Sequence, residues 1–336
     1  MTDERLAALA RWAQAQLDIA SLDVAPASAD ASFRRYFRAR DGGRSWILMD
    51  SPPEREPLTA FLDVARRLGA IGVHVPEVIA ADPERGFALL SDLGSRPYLD
   101  ALDDASADRL YGDAMAALRV IQARGPGPGE LPPYDEALLR GELALFSDWL
   151  LARKLGIDTD GATGELLASA FDRLVANGLE QPQVCVHRDY HSRNLMVVEH
   201  NNPGILDFQD AVIGPVTYDL VSLLRDCYIR WPRAQVEAWA VGYFEQALQA
   251  GILRDGITDE TGFLRWFDLM GIQRHLKAAG IFARLDLRDG KPGYLADIPR
   301  TLGYVAEVGA RYPELARLAG FVADEVLPKL AELRGR

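Results

Sequence analysis

The chain has 336 residues, of which 49% are hydrophobic and 26% are charged, a balance typical of globular proteins with one large or two modest domains. Its formal net charge of -12 argues against a nucleic-acid partner, because a phosphate backbone is bound by clustered Lys and Arg. No uninterrupted apolar run reaches the roughly 18 residues that a membrane span requires.

The first 95 residues are predicted to form a small β-rich lobe. The N-terminal stretch mixes acidic, basic and apolar residues at helical spacing, unlike a basic segment followed by an apolar run, which favours a cytoplasmic protein. The pattern of residues 31–50 predicts two β-runs around Gly42 and Gly43, whose freedom to adopt positive φ suits a tight hairpin. A helix is then predicted over 57–68, and two further strands over 75–80 and 86–90.

Beyond residue 95 the pattern becomes mainly helical. Apolar residues that recur on one stripe predict helices over 105–124, 135–155 and 163–177. The segment 183–210 is an exception, because VCVHRDYH, NLMVV and GILDF are typical of short strands joined by loops. A larger, mostly helical lobe is therefore expected over 96–336.

The most informative motif lies in this exceptional segment. It reads HRDYHSRN, ends at Asn194 and is followed by the pair DF at Asp207, which matches H-R-D-x-x-x-x-N and a later D-F. Phosphoryl transfer needs a carboxylate facing the acceptor hydroxyl, together with oxygen ligands that hold Mg²⁺ against the phosphates. We therefore predict that Asp189 accepts or orients the acceptor's proton, and that Asn194 and Asp207 bind Mg²⁺. A hairpin over 195–207 would return Asp207 to the side of Asn194.

A single aspartate has a simpler structural explanation, since most are helix caps or surface charges. The joint pattern of Asp189, Asn194 and Asp207, each in a strand and loop context, favours the catalytic interpretation. His187 is expected to act as a structural hydrogen-bonding residue of the same loop.

The motif and its surroundings resemble the aminoglycoside phosphotransferase and choline kinase superfamily, which is related to the protein kinases. The likeness covers most of the chain and includes LDFQD and GPVTYDL, in which Asp219 would tie down the catalytic loop. It implies an α+β, two-lobed, protein-kinase-like fold, with a nucleotide-binding lobe over 1–95 and a catalytic and substrate-binding lobe over 96–336. It also implies ATP and Mg²⁺ as cofactors. The APE element of protein kinases has no counterpart, so no protein substrate is expected.

A closer likeness is to the anomeric N-acetylmuramate/N-acetylglucosamine kinases of bacterial cell-wall recycling. It is carried by DASFRRYFR at 30–38, SWILMDSPPE at 45–54, LRDCYIRWP at 224–232 and QRHLKAAGIFARL at 273–285. This resemblance implies ATP-dependent phosphorylation of the sugar's C1 hydroxyl, in peptidoglycan recycling toward UDP-sugars. The expected partner is then a small sugar, with no nucleic acid and no membrane.

One region departs from the superfamily pattern, because the strand that should carry a phosphate-pairing lysine reads ILMD at 47–50. No glycine-rich loop is present either, and DASFRRY stands in its place. We expect Arg34 or Arg35 to supply the missing positive charge, with Ser32, Phe33 and loop amides near the phosphates. The alternative is that both arginines only solvate a strand edge. The connector residues expected to meet adenine through their backbone groups are Ser91, Asp92 and Leu93.

An N-acetylmuramate acceptor carries a lactyl carboxylate, which an arginine binds through two parallel hydrogen bonds. Arg225 and Arg274 are the candidates, and each has the alternative of an exposed or helix-terminal arginine. Sugar hydroxyls require short polar groups beside an aromatic wall. The candidates for these contacts are His191, Gln209, Asp210 and Tyr228.

Three other functions are compatible with the same residues. His187, Asp189 and His191 form H-x-D-x-H, a possible transition-metal pattern of a hydrolase, although the remaining histidines form no second cluster and Cys185 and Cys227 are widely separated. The absent strand lysine suggests a nucleotide-binding pseudokinase that acts as a scaffold. An aminoglycoside, choline or homoserine kinase is the third alternative, which a substrate panel would separate from a sugar kinase.

Overall fold

The computed structural model describes residues 3–28 and 34–334. Its helices are α1 (Glu4–Leu17), α2 (Leu58–Ala70), α3 (Ala107–Arg124), α4 (Glu136–Leu145), α5 (Gly161–Glu180), α6 (Tyr218–Leu224), α7 (Arg233–Gln249), α8 (Glu260–Asp289), α9 (Ile298–Gly309), α10 (Ala316–Phe321) and α11 (Leu327–Arg334). Its strands are β1 (Asp23–Ser28), β2 (Arg35–Asp41), β3 (Arg44–Asp50), β4 (Val78–Asp82), β5 (Phe87–Ser91), β6 (Gln183–Val186), β7 (Leu195–Met196), β8 (Gly204–Ile205) and β9 (Val212–Pro215). The chain divides into unit 1, Met1–Ala101 with Arg193–Asp210, and unit 2, Leu102–Ser192 with Ala211–Arg336.

Unit 1 is built on an antiparallel sheet whose described strands follow the order β1-β2-β3-β5-β4. The β2–β3 pairing confirms the predicted hairpin, and Gly42 lies in its turn at a φ of 59°, where a residue without a side chain is not strained. β1 is absent from the sequence prediction, and it contains Pro26. An edge strand tolerates proline, since one side of the strand has no partner to receive an N–H.

Helix α1 packs against this sheet. Asp3 caps its first turn by accepting a hydrogen bond from the N–H of Leu6 at 3.1 Å. Trp12 lies with its ring centroid 6.0 Å from that of Phe87 on β5. The buried cluster around this contact consists of Leu9, Trp12, Ala13, Phe37, Ala39, Trp46, Leu48, Phe87 and Leu89. Burying a large apolar side chain contributes about 1.5–3 kcal/mol, so the cluster gives the sheet a firm support.

The segment 193–210 belongs to unit 1 through non-local contacts. The N–H of Ile205 donates to the carbonyl of His74 at 2.8 Å, next to the short antiparallel pair β7–β8. The ring of Phe208 stacks on Phe61 of α2 with centroids 5.0 Å apart. The boundary drawn from the sequence assigns this segment to the larger lobe, whereas its contacts group it with the smaller unit.

Unit 2 is mainly helical, and α8 is a helix of 30 residues that Asp259 caps at its start. Gly280 lets α8 come close to the end of α4, because a Cβ at this position would lie 2.3 Å from the carbonyl carbon of Leu145. The chain continues from α4 as a π-helical segment over Phe146–Lys154. This close approach fixes the position of α8 relative to α4, and both helices contribute polar side chains to the interior of the unit.

A short antiparallel pair, β6–β9, lies in unit 2, and β6 ends at Val186, directly before the HRD motif. The predicted helices at 105–124 and 163–177 correspond to α3 and α5. Across the described parts of the chain, no helix combines the length and apolar character needed to cross a membrane.

Candidate active site

Unit 1 contains a pocket of about 300 Å³ between the sheet and the segment 193–210. Its apolar lining consists of Ala27, Ile47, Phe61, Pro76, Leu90, Leu93, Met196, Leu206 and Phe208. Its polar lining includes Tyr36, Arg38, Ser91, Asp92, Arg193, Asn194 and Asp207. Apolar walls with a few convergent polar groups are the usual composition of a small-ligand site.

The connector that follows β5 lines this pocket, and Arg38 of β2 fixes its shape. Arg38 donates from Nε to Oδ2 of Asp92 at 2.7 Å and from Nη2 to the carbonyl of Gly94 at 2.6 Å. Burial would raise the pKa of Asp92, but the hydrogen bonds from Arg38, Ser45 and the N–H of Gly94, together with the charge of Arg38, outweigh this effect, so the pKa lies below its usual value. The hydroxyl of Ser91 accepts from the N–H of Glu77 at 2.8 Å. The side chains of Ser91 and Asp92 thus form hydrogen bonds within unit 1, and both residues line the pocket.

Asn194 and Asp207 are adjacent, as the predicted hairpin requires. Nδ2 of Asn194 donates to Oδ2 of Asp207 at 3.3 Å, and the N–H of Leu206 donates to the carbonyl of Asn194 at 2.9 Å. Asp207 adopts a φ of 64°, a left-handed conformation that non-glycine residues seldom take and that is common at functional sites. Both side chains line the pocket.

Gln209 also contacts Asp207. Its Nε2 donates to Oδ1 of Asp207 at 2.7 Å, and its Oε1 is buried with no hydrogen-bond partner among the described residues. A carboxylate and amide oxygens form the donor set that Mg²⁺ prefers, and an unsatisfied buried oxygen beside them fits the same ion. Asp210 is exposed and is not among the lining residues of the pocket.

Arg34 and Arg35 do not line this pocket. Arg35 donates from Nη2 to Oδ2 of the fully buried Asp50 at 2.5 Å and also pairs with Asp3. Arg34 lies 3.2 Å from Oε2 of Glu56. Both charges are therefore neutralised by carboxylates of unit 1. Ser32 and Phe33 lie outside the described residues.

In unit 2, Asp219 of α6 holds the HRD segment in place, as predicted. One carboxylate oxygen accepts from the N–H of His187 at 2.6 Å, and the other accepts from the N–H of Arg188 at 3.0 Å. Arg188 has a φ of 78°, a left-handed conformation that these two hydrogen bonds stabilise. Burial raises the pKa of Asp219 to about 7, against the lowering effect of the two N–H groups.

Asp189 follows in a strongly cationic part of unit 2. Burial would raise its pKa, but the charges of Lys277, His191 and Arg274 outweigh this effect and hold the pKa below the usual value. The side chain is therefore a carboxylate at neutral pH. A carboxylate in this state can accept a hydrogen bond from an acceptor hydroxyl.

Arg188, the residue before Asp189, forms an ion pair with the buried carboxylate of Glu142 on α4. Glu142 accepts from Nη2 of Arg188 at 2.6 Å and lies 2.9 Å from Nζ of Lys277 on α8. Burial would raise the pKa of Glu142, but the two cations outweigh it and the pKa lies below the usual value. Tyr134 and Gln273 donate to its other oxygen. Glu142 therefore links the HRD segment to α4 and α8.

The predicted acceptor-binding residues of unit 2 separate into two groups. His191 and Tyr228 face each other edge to face, with centroids 5.5 Å apart. Arg274 lies nearby, since its charge acts on Asp189. Arg225 instead forms a buried ion pair of 2.5 Å with Asp268.

The H-x-D-x-H pattern is not arranged as a metal centre. Nδ1 of His187 accepts from the N–H of Asp189 at 3.2 Å, and the ring of His191 packs on Tyr228. Over residues 3–28 and 34–334, no group of three or more His, Cys, Asp or Glu side chains could hold a metal ion.

The sequence interpretation gives no role to several polar residues of these sites, among them Arg38, Glu142 and Lys277. Helical spacing could have indicated Lys277, because it lies one turn after Gln273 and Arg274 in the quoted QRHLKAAGIFARL stretch. Strand alternation places Arg38 on the same face as Tyr36. Helical spacing could also have indicated Glu142, because it lies on the same stripe of α4 as the buried Leu139, Leu143 and Phe146.

Comparison with known proteins shows the family and the fold of the chain. The phosphotransferase enzyme family model matches residues 23–256. The N-acetylmuramate/N-acetylglucosamine kinase of Pseudomonas aeruginosa is 50% identical over 94% of this chain and 91% of its own length. An ADP-bound aminoglycoside phosphotransferase is 14% identical, with a TM-score of 0.60 over 92% of this chain and 99% of its own.

A choline kinase from Streptococcus pneumoniae is 13% identical, with a TM-score of 0.61 over 91% of this chain and 100% of its own. The two solved structures confirm the predicted α+β fold, with a β-rich N-terminal part followed by a mainly helical one. The family model extends over more than half of the chain, and the Pseudomonas relative matches nearly all of it. The chain belongs to the phosphotransferase enzyme family.

Proposed function

We propose that the chain is an ATP-dependent sugar kinase that phosphorylates the C1 hydroxyl of N-acetylmuramate and N-acetylglucosamine in peptidoglycan recycling. The observation that carries this proposal is the 50% identity to the Pseudomonas aeruginosa kinase of these two sugars, over 94% of this chain. The HRD motif, Asn194 and Asp207 are the residues that such a reaction requires. A reaction that consumes ATP suits a cytoplasmic protein.

The pocket of unit 1 is the proposed ATP site. Its apolar walls suit adenine, and the backbone of the connector supplies hydrogen-bonding groups for the base. Asn194 and Asp207 would hold Mg²⁺, which neutralises negative charge on the phosphates. Arg38 and Arg193 are the cationic side chains among the described lining residues. Arg193 directly precedes Asn194, so we assign it to the phosphates in place of Arg34 and Arg35.

Asp189 is the proposed group that meets the acceptor. Its lowered pKa keeps it ionised at neutral pH, so it accepts a hydrogen bond from the C1 hydroxyl and orients the oxygen for attack on the γ-phosphoryl group. The proton of the hydroxyl moves toward this carboxylate as the new P–O bond forms, while the bond from the γ-phosphorus to the β–γ bridging oxygen breaks and ADP leaves. Asp219 and Glu142 act through the backbone and through Arg188 to keep Asp189 in position.

Replacing Arg38 with Met should raise the KM for ATP about tenfold and change kcat less than twofold. The substitution removes charge-assisted hydrogen bonds to Asp92 and Gly94, each worth about 1.5–3 kcal/mol, and tenfold in affinity corresponds to about 1.4 kcal/mol. Steady-state kinetics at varied ATP measures the effect. Arg40→Met is the matched control, because Arg40 is exposed on the same strand. An unchanged KM in the Arg38 variant would show that the connector does not need this anchor.

One assay tests the proposed function directly. The purified protein is incubated with ATP, Mg²⁺ and one acceptor in each of four separate reactions. The acceptors are N-acetylmuramate, N-acetylglucosamine, choline and an aminoglycoside. Phosphorus NMR then identifies the phosphorylated position. The expected product is an acid-labile glycosyl phosphate formed from the two amino sugars.

The Asp189→Asn variant, purified in the same way, controls for a contaminating kinase. Phosphorylation confined to a C6 hydroxyl would contradict the anomeric assignment. Turnover of choline or the aminoglycoside alone would assign the chain to another acceptor within the same family.

A further inference from the structure

Arg274 differs from most buried charged residues of unit 2 in having no counter-charge in contact. It lies on α8 with 6% of its surface exposed. Among residues 3–28 and 34–334 no carboxylate lies within 4.0 Å of it, and its one hydrogen bond runs from Nη1 to Sγ of Cys227 at 3.7 Å. Its Nε is buried with no partner in the described structure. A buried guanidinium with only a weak sulfur acceptor is costly to maintain unless a ligand completes its hydrogen bonds.

Arg225, the other arginine candidate, already has its charge neutralised. Its Nη2 lies 2.5 Å from Oδ1 of Asp268, and both side chains are 3% exposed. The guanidinium also lies over the ring of Phe267, 4.6 Å from the centroid. The buried Nη1 of Arg225 has no hydrogen-bond partner among the described residues, but an anionic ligand would have to compete with Asp268 for the charge of this guanidinium. No carboxylate competes in this way for Arg274 among the described residues.

Within unit 2, Arg274 lies next to the loop that carries Asp189. Its partner Cys227 follows Asp226, whose carboxylate accepts from the N–H of Ser192 at 2.9 Å. The guanidinium is also among the charges that lower the pKa of Asp189. A ligand that contacts Asp189 therefore lies within reach of Arg274.

We propose that Arg274 is the residue that binds the lactyl carboxylate of N-acetylmuramate and so sets the preference between the two amino sugars. This inference rests on the proposed function, because it assigns one part of the acceptor to one side chain. N-acetylglucosamine has no lactyl group and occupies the same site without this contact.

The chemistry of the acceptor agrees with this placement. The lactyl ether is attached to C3 of the ring whose C1 hydroxyl meets Asp189, so the carboxylate lies about one sugar ring away from the reacting oxygen. A guanidinium presents two parallel N–H groups to a carboxylate. It also offsets the additional negative charge that N-acetylmuramate brings to a site where phosphates must approach.

The test compares the wild type with Arg274→Gln on three acceptors: N-acetylmuramate, its neutral methyl ester and N-acetylglucosamine. In the wild type, kcat/KM should be roughly 30-fold higher for the acid than for the ester, the size expected of a charge-assisted bidentate contact. In Arg274→Gln the ratio of the two kcat/KM values should fall to about 1, while kcat/KM for N-acetylglucosamine should change less than about threefold. Arg274→Lys should recover part of the preference, because it keeps the charge without the bidentate geometry.

Arg288→Gln is the matched control, because Arg288 lies in the last turn of α8 and pairs with Asp289. It should keep the wild-type ratio of acid to ester. An equal loss on all three acceptors in Arg274→Gln would overturn the proposal and show that Arg274 acts only through Asp189. A wild type that does not distinguish the acid from the ester would overturn it even if the glutamine variant failed to fold. Failure of the proposed function itself looks different, since the wild type would then phosphorylate neither sugar at C1.

Discussion

Replacing Asp189 with Asn is expected to lower kcat for sugar phosphorylation by roughly a thousandfold, because a positioned acid–base group contributes about 10²–10⁴. The amide keeps the size of the side chain but loses the negative charge that accepts and orients the acceptor's proton. The KM for ATP should change little, since the proposed ATP pocket is lined by residues of unit 1. Steady-state kinetics with both substrates varied measures the two effects separately.

Asp172→Asn is the control for this substitution, because Asp172 is an exposed aspartate of α5. It should retain wild-type kcat. Thermal denaturation monitored by circular dichroism checks that both variants are folded. A kcat within about fivefold of the wild type in Asp189→Asn would remove Asp189 from the mechanism.

The pH dependence of kcat in the wild type follows from the lowered pKa of Asp189. The cations around Asp189 lower its pKa, so the ionised form persists as the pH falls. The part of kcat that depends on this carboxylate should therefore stay constant from neutral pH down past the ordinary aspartate pKa of about 3.9, and disappear only below it. A loss of kcat centred near pH 6 that is absent from Asp189→Asn would contradict the lowered pKa.

Replacing Glu142 with Gln should destabilise the protein by about 3–5 kcal/mol, the usual cost of removing one partner of a buried ion pair. The substitution leaves the buried Lys277 and the partly buried Arg188 without their shared counter-charge. Urea denaturation measures the change in the free energy of unfolding. The double variant Glu142→Gln with Lys277→Met should recover part of the loss, because it removes one of the two uncompensated charges.

Glu136→Gln is the matched control, because Glu136 lies on the same helix and pairs with an exposed arginine, Arg140. No measurable change in stability is expected from it. The stabilising effect of Glu142 should also depend on pH with a definite sign. Its pKa is lowered in the folded chain, so its contribution is present above the ordinary value of 4.5 and is lost as the pH falls through the lower pKa. A difference between wild type and Glu142→Gln that grows toward acid pH would contradict this assignment.

Local sequence pattern was sufficient for the β2–β3 hairpin and for the adjacency of the two proposed metal-binding residues. Strand alternation and Gly42 and Gly43 predict the β2–β3 hairpin, which the structure confirms. The short runs on either side of an Asn-Asn-Pro-Gly turn predict the hairpin that brings Asp207 beside Asn194. Both hairpins are formed by residues close together in the sequence, and their turn residues allow only a few backbone conformations.

Local sequence pattern could not predict which charged residues form ion pairs or which distant segments pack together. Arg34 and Arg35 stand where a phosphate-binding charge is expected, but Arg35 pairs with Asp50 on the neighbouring strand and with Asp3 before α1. The segment 193–210 joins unit 1 through the Phe61–Phe208 stack and backbone hydrogen bonds to distant residues. The partners of Arg35 and of the segment 193–210 cannot be identified from sequence spacing, because they lie far away in the sequence.

The kind of chemistry could be predicted from the order of the residues, since HRD, Asn194 and Asp207 match the spacing of a phosphoryl-transfer motif. The cations that remain available for this chemistry could be identified only from the folded chain. Arg225 is neutralised by Asp268, Lys277 by Glu142, and Arg274 has no carboxylate in contact among the described residues. The physical reason is that the electrostatic role of a buried charge depends on its distance to a counter-charge, which tertiary packing determines.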